Sequence, residues 1–94
     1  MKLVNILPLT TVSSYWISYK IWCGKFIEPD NIVVDENYRG LGIGKKIIDH
    51  IIAIGKKDNC KISVLDSYVT NYASHKFYLR ENYQILGYHF CKKI

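Results

Sequence analysis

The chain has 94 residues, 49% of them hydrophobic and 22% charged, and 13 lysines and arginines against 8 acidic residues give a net charge of +5. That length holds one domain, residues 1–94, and the balance excludes a disordered tail, a collagen-like chain and a large multidomain enzyme. No apolar run approaches the ~20 residues of a membrane-spanning helix, and Met1 to Pro8 lacks the apolar stretch and cleavage site of a signal peptide, so a cytoplasmic location without a membrane partner is expected.

Leu3 to Leu7 is a short apolar run closed by Pro8 and reads as a strand. From Val12 to Cys23 one parity holds Tyr15, Ile17, Tyr19, Ile21 and Cys23, and the other Ser14, Trp16, Ser18, Lys20 and Trp22. Period two with aromatic and β-branched residues predicts a strand. Gly24 breaks the pattern. Lys25 to Val34 is the next strand, with Pro29 marking a bulge, a bend or a strand start. The polar Asp35-Glu36-Asn37 precedes Arg39-Gly40-Leu41-Gly42-Ile43-Gly44. Ile43, Ile47, Ile48, Ile51, Ile52 and Ile54 then cover about half a helix circumference. They predict an amphipathic helix from about Gly42 to Lys57, ended at Asp58-Asn59. Lys61 to Asp66 is a short strand, Asn71 to Asn82 a second helix with Ala73 and Phe77 turned to the core, and Gln84 to Lys92 a last strand. The order β-β-β-α-β-α-β predicts an α/β fold with a mixed central sheet.

The basic surplus suits an anionic partner or a merely solvated surface. Nucleic acid is disfavoured, because no aromatic-basic RNA motif or recognition-helix pattern accompanies it. Cys23, Cys60 and Cys91 form no CxxC pair and read as free thiols. His50, His75 and His89 show no metal spacing with them, so no metal is expected.

The strand-to-helix turn carries the strongest chemical signal. Alternate glycines allow tight turning and expose successive N–H groups, and a helix amino terminus adds unpaired donors and a positive dipole end. Together these favour a pyrophosphate, with Arg39 and Lys45 adding charge. Neither the P-loop GxxxxGK[ST] nor the dinucleotide GxGxxG pattern fits; R-x-x-G-x-G, as Arg39, Gly42 and Gly44, does. The competing reading is a glycine turn that only permits close helix–strand packing.

The segment Ile32-Val33-Val34-Asp35-Glu36-Asn37-Tyr38-Arg39-Gly40-Leu41-Gly42-Ile43-Gly44 resembles motif A of the GNAT superfamily of acyl-CoA-dependent N-acyltransferases. A second motif follows as Asn71, Ser74-His75, Phe77-Tyr78 and Tyr83, where the family usually reads N-x-x-A-H-x-F-Y and then Gly-Phe. The resemblance spans roughly Asp30 to Lys93. It implies that main-chain groups of Ile32, Val33 and Val34 hold the pantetheine arm, that amides of Arg39, Gly40, Leu41, Gly42, Ile43, Gly44 and Lys45 hold the pyrophosphate, and that Asn71 contacts the arm. Tyr78 then lies near the thioester sulfur and protonates the departing thiolate. Asp30, nine residues before Arg39, matches a frequent base position, with Glu28 two residues earlier.

The residues support this on their own terms. Asn71, Ser74, His75 and Tyr78 lie at i, i+3, i+4 and i+7, one helix face. The plain alternatives are a packing aromatic for Tyr78, a helix cap for Asn71 and a loop carboxylate for Asp30. The resemblance implies transfer of an acetyl group from acetyl-CoA to a primary amine on a small molecule or peptide. Family members carry about a strand and two helices more at the amino end, commonly shaping the acceptor site, so the alternative is an inactive CoA-binding module. The aromatic segment Tyr15 to Trp22 points to core or to a homodimer contact.

Overall fold

The computed structural model describes residues 2–4, 11–34 and 42–94. Three strands, β1 (Lys2–Val4), β2 (Thr11–Lys20) and β3 (Gly24–Val34), precede helix α1 (Ile43–Lys57), strand β4 (Ile62–Ser63) and helix α2 (Tyr72–Arg80). The sheet order is β1-β2-β3-β4, antiparallel at the first two junctions and parallel between β3 and β4. The expected mixed α/β sheet is therefore present.

The β2–β3 hairpin turns through Ile21–Cys23, and Gly24 supplies the left-handed φ of 76° that closes it. Its register sets Tyr15 opposite Pro29 and Ile17 opposite Ile27. These odd-numbered positions face α1. Tyr15, Ile27, Ile43, Ile47 and Ile51 form the core, with Ile17, Ile54 and Cys60 against it. The helical isoleucine spacing thus delivers one continuous stripe to the sheet. Each fully buried isoleucine contributes ~1.5–3 kcal/mol. Gly55 lets α1 approach closely, since a Cβ there would stand 2.8 Å from Ile27 Cγ2.

Pro29 causes no irregularity in β3. Lys25 and Ile27 accept hydrogen bonds from Lys61 and Val64, so odd-numbered backbone groups of β3 point towards β4. The N–H that Pro29 lacks would face the same way, beyond the last β3–β4 pair. The bulge lies further on, where the register shifts between Val12 and Ser14.

Other expectations are corrected. Tyr15 belongs to its own chain's core and is not available to a partner. Lys61 to Asp66 contracts to Ile62–Ser63, because β3 pairs with it only at Phe26 and Ile27. Gln84 to Lys92 alternates like a strand but is neither strand nor helix. Alternation selects a face; it does not supply a hydrogen-bonding neighbour. Ala73 is exposed, and no α2 residue is fully buried. The first strand's outer part and the Asp35-Glu36-Asn37 turn lie outside the described residues.

Candidate active site

The site begins where the sheet opens. β3 pairs with β4 at Phe26–Ile62 and Ile27–Ser63, and the Val64 amide bond to the Ile27 carbonyl (3.0 Å) is the last recorded between them. From Glu28 to Val34, β3 stays paired with β2 while its other edge has no strand partner among the described residues. At the bulge two β3 residues face Ser13, which resets the alternation. By register Val33 then turns its amide and carbonyl to β2, and Ile32 and Val34 turn theirs to the open edge. Val33 is thereby placed differently from its neighbours in the expected trio.

The amino end of α1 lies along the same chain path. Gly42 caps it in the left-handed conformation (φ 75°, ψ 14°), without a side-chain cap and without an acidic residue in the first turn. Lys46 N–H bonds the Gly42 carbonyl (3.2 Å), so the amides of Ile43, Gly44 and Lys45 precede the helical ladder. Such donors, with the dipole and no competing carboxylate, suit an anion. The Lys45 ammonium is engaged elsewhere: it pairs with Asp49 (3.2 Å) and Glu81 (3.3 Å). Its hydrogen bonds to Asp49, then to Glu81, raise its pKa. Lys45 thus adds its amide to the turn, while its exposed ammonium lies between two carboxylates. Gly44 has a packing role too, since a Cβ there would meet the Phe77 ring at 3.2 Å. Arg39, Gly40 and Leu41 lie outside the described residues.

Helix α2 packs on the α1 side through that Phe77–Gly44 contact. Asn71 caps it, its Oδ1 accepting from Ser74 N–H (3.2 Å). His75 Nε2 meets the Tyr68 carbonyl at 2.8 Å, which ties the loop before α2 to its first turns. Tyr78 stacks edge-on against Tyr83, ring centroids 5.9 Å apart. Tyr83 OH shares a 2.7 Å hydrogen bond with Ser63 Oγ at the last residue of β4. The two tyrosines thus overhang the β4 lip of the gap. Burial raises the pKa of Tyr78. Burial also raises that of Tyr83, opposed by the Ser63 bond.

Glu28 occupies the β3 lip, on the parity that faces away from α1. Burial first, then the Asp66 carboxylate, raises its pKa; Asp30 adds to this, and Lys20 and His89 oppose it. Asp30 lies two residues on, with its carbonyl accepting from the buried Ser14 hydroxyl (3.0 Å). The structure records no contact between Tyr78 and either carboxylate; the gap separates them. The sequence ranked Asp30 ahead of Glu28 and gave Tyr83 no separate role; the structure sets Glu28 as the first β3 residue past the last β3–β4 pair and Tyr83 just beyond α2, against Ser63. The groove beside Ile52, Gly55, Lys56 and Cys60 lies at the far end of α1. Among the described residues no His, Cys, Asp and Glu cluster assembles a metal site, and no helix is long and apolar enough to cross a membrane.

Residues 11–83 match the model of the acetyltransferase (GNAT) family. The thialysine N-epsilon-acetyltransferase of Bos taurus is 38% identical over 55 residues, covering 55% of this chain and 32% of that protein. The glucosamine 6-phosphate N-acetyltransferase 1 of Dictyostelium discoideum is 35% identical over 65 residues, covering 69% and 40%. The chain thus spans well under half the length of these curated relatives. Among solved structures, the Arabidopsis thaliana glucosamine-6-phosphate N-acetyltransferase superposes with a TM-score of 0.73 at 27% identity, covering 89% of this chain and 56% of that one. A structure of AAC(6')-Iy with a CoA-containing bisubstrate analogue gives 0.79 at 19% identity, covering 90% and 61%, a likeness of fold. With a parted β3–β4 pair, an uncapped α1 terminus at a glycine turn and a family match over most of its length, the chain belongs to the GNAT acetyltransferase family.

Proposed function

We propose that this chain is the acetyl-CoA-binding and catalytic part of an N-acetyltransferase acting on a primary amine of a small molecule or peptide. The observation that carries the reading is the open β3 edge running from Glu28 towards the uncapped, acid-free start of α1. Acetyl-CoA, when bound, supplies an acyl carbon activated by a thiolate leaving group. The residues fit it: the amides of Gly42 to Lys45 bind a diphosphate, and the open-edge groups of Ile32 and Val34 orient an amide-bearing arm along β3. Asn71 contributes the placement of α2 through its cap.

Transfer requires a neutral amine and a proton for the departing sulfur. Glu28, with its pKa raised, holds a proton more readily than a solvated carboxylate and accepts one from an ammonium at the gap; Asp30 stands beside it as the second acid. Tyr78, with its pKa also raised, keeps its phenolic proton through neutral pH and offers it from the other lip. A cytoplasmic setting, supported by the free Cys23, Cys60 and Cys91, and a homodimer complete the reading.

The second reading is a CoA-binding module without turnover. It needs only the α1 terminus and the open β3 edge, and no proton transfer by Glu28 or Tyr78. Calorimetric titration of CoA together with a transfer assay over a panel of amines separates the two. Binding with turnover supports the enzyme, binding without turnover supports the module, and no binding overturns both.

A further inference from the structure

The carboxyl end of α2 is closed in a way that brings two aromatic rings together. Glu81 caps the helix, and Asn82 takes the left-handed conformation, φ 69°, which asparagine tolerates better than most residues with a side chain. The chain then folds back: Asn82 N–H bonds the Leu79 carbonyl (3.1 Å), and Tyr83 N–H bonds the Tyr78 carbonyl (3.0 Å). Such a pair of bonds sets the residue two beyond the cap against the third from the helix end. Here those residues are Tyr83 and Tyr78, whose ring centroids lie 5.9 Å apart with planes at 67°.

Tyr83 is held at its far end as well. Its hydroxyl shares the 2.7 Å bond with Ser63, the last residue of β4, where the ladder to β3 runs out. Glu81, two residues back, pairs with Lys45 in the first turn of α1 (3.3 Å). The end of α2 is thus tied to both walls of the site. Tyr78 differs: among the described residues its hydroxyl has no hydrogen-bond partner, so the direction of its ring is set by packing, against Phe77 on one side (5.4 Å) and Tyr83 on the other.

We propose that Tyr83 is a positioning residue for the transfer: clamped by Ser63 and by the turn after α2, its ring fixes the Tyr78 ring, and with it the aim of the phenolic proton, at the β4 lip. The proposal rests on the reading of Tyr78 as the proton donor. The clamp needs the Tyr83 hydroxyl, which is this chain's departure from the Gly-Phe that usually closes the second motif; Asn82-Tyr83 stand there instead.

The test reads Tyr78 directly and through turnover. In the unliganded full chain with isotope-labelled tyrosine, nuclear magnetic resonance identifies the Tyr78 ring signals by their loss in Tyr78→Phe. Ser63→Ala and Tyr83→Phe each remove one hydroxyl of the clamp and keep the Tyr83 ring. Both are expected to shift the Tyr78 signals and to lower the pH at which Tyr78 titrates, because burial is what raises it. At saturating acetyl-CoA each lowers kcat roughly 3- to 10-fold, the factor that one hydrogen bond supplies, with CoA affinity unchanged. The double variant loses no more than either single one, and neither change slows Tyr78→Phe further. Unmoved Tyr78 signals overturn the proposal, as does a further loss in the Tyr78→Phe background. If Tyr78→Phe is slowed roughly 10²-fold while Ser63→Ala and Tyr83→Phe turn over like the parent, the proposal falls and the proton-donor reading stands. If Tyr78→Phe turns over like the parent with chemistry rate-limiting, that reading falls and takes the proposal with it.

Discussion

Replacing Gly42 by alanine tests the diphosphate turn against an internal control. Gly42 has φ 75° and Gly24 has φ 76°, and a Cβ built on either meets nothing within 4 Å. Alanine at each position thus carries the same left-handed penalty, ~1–2 kcal/mol, without a clash. For a domain of this size 1 kcal/mol lowers Tm by ~4–8 °C, and both variants are expected to fold and to melt lower by a similar amount. Only Gly42 stands at the α1 terminus. There the new methyl projects into the space a phosphate enters, and a turn that relaxes to escape the strain re-aims the amides of Ile43 and Gly44. Restoring the binding geometry costs the same ~1–2 kcal/mol, which weakens CoA binding roughly 5- to 30-fold. Thermal melts and calorimetric titration of CoA read both effects. If Gly42→Ala and Gly24→Ala lose equal stability and all three proteins bind CoA alike, the turn is not the diphosphate site. Gly44→Val is the poorer probe, because crowding against Phe77 disturbs the α1–α2 contact whatever the turn binds.

Tyr78→Phe should lower kcat by roughly 10²-fold at saturating acetyl-CoA while leaving its affinity near the parent's, since the ring contacts persist; unchanged turnover with chemistry rate-limiting makes Tyr78 a packing residue. Glu28→Gln should also lose roughly 10²-fold in kcat, while Asp30→Asn loses less; the reverse order returns the base role to Asp30. Stability should move the other way. A carboxyl with a raised pKa binds its proton more tightly folded than unfolded, so the folded state loses stability as pH rises from the unfolded towards the folded value. Glu28→Gln should therefore melt higher than the parent at pH 7 and gain little at pH 4, as scanning calorimetry at both pH values would show. Asn71→Ala removes the bond to Ser74 N–H and should cost ~1 kcal/mol of stability; a Tm equal to the parent's would show that the cap contributes nothing.

What the sequence made legible was whatever repeats locally. The isoleucine stripe placed α1 to within a residue, and the two parities placed β2, but the strand read from Val12 to Cys23 ends at Lys20 and Ile21–Cys23 is the turn. Gly42 was legible as a turn because only glycine adopts φ 75° without strain. Non-local geometry was not legible. Nothing in Lys61 to Asp66 says that β3 parts from it after Ile27, so neither the shortness of β4 nor the exposure of Gln84 to Lys92 followed from pattern. Pro29 drew the irregularity to itself, while the register placed it beyond. Glu28 ranked behind Asp30 because only spacing from Arg39 was available; that β3 parts from β4 at Glu28, with Asp66 near it, is a fact of the fold. Lys45 read as a phosphate charge, and nothing local in the sequence shows that Glu81, thirty-six residues on, meets its ammonium.

The parting of β3 from β4 has a consequence for how this protein persists in a cell. A ligand that hydrogen-bonds the edge from Glu28 to Val34 acts mechanically as a further strand, supplying from a small molecule the ladder that the polypeptide stops making at Ser63. If that ligand is the proposed acyl-CoA, the sheet is partly built from a metabolite, and the lifetime of the folded chain becomes a function of that metabolite's concentration. At a hundredfold excess over Kd, ligand binding adds ~2.7 kcal/mol, a large share of what a 94-residue domain has in hand. On that proposal, depletion of the acyl-CoA pool would do more than idle the site: it would raise the unfolded fraction open to proteolysis, coupling the abundance of the protein to the supply of the proposed co-substrate.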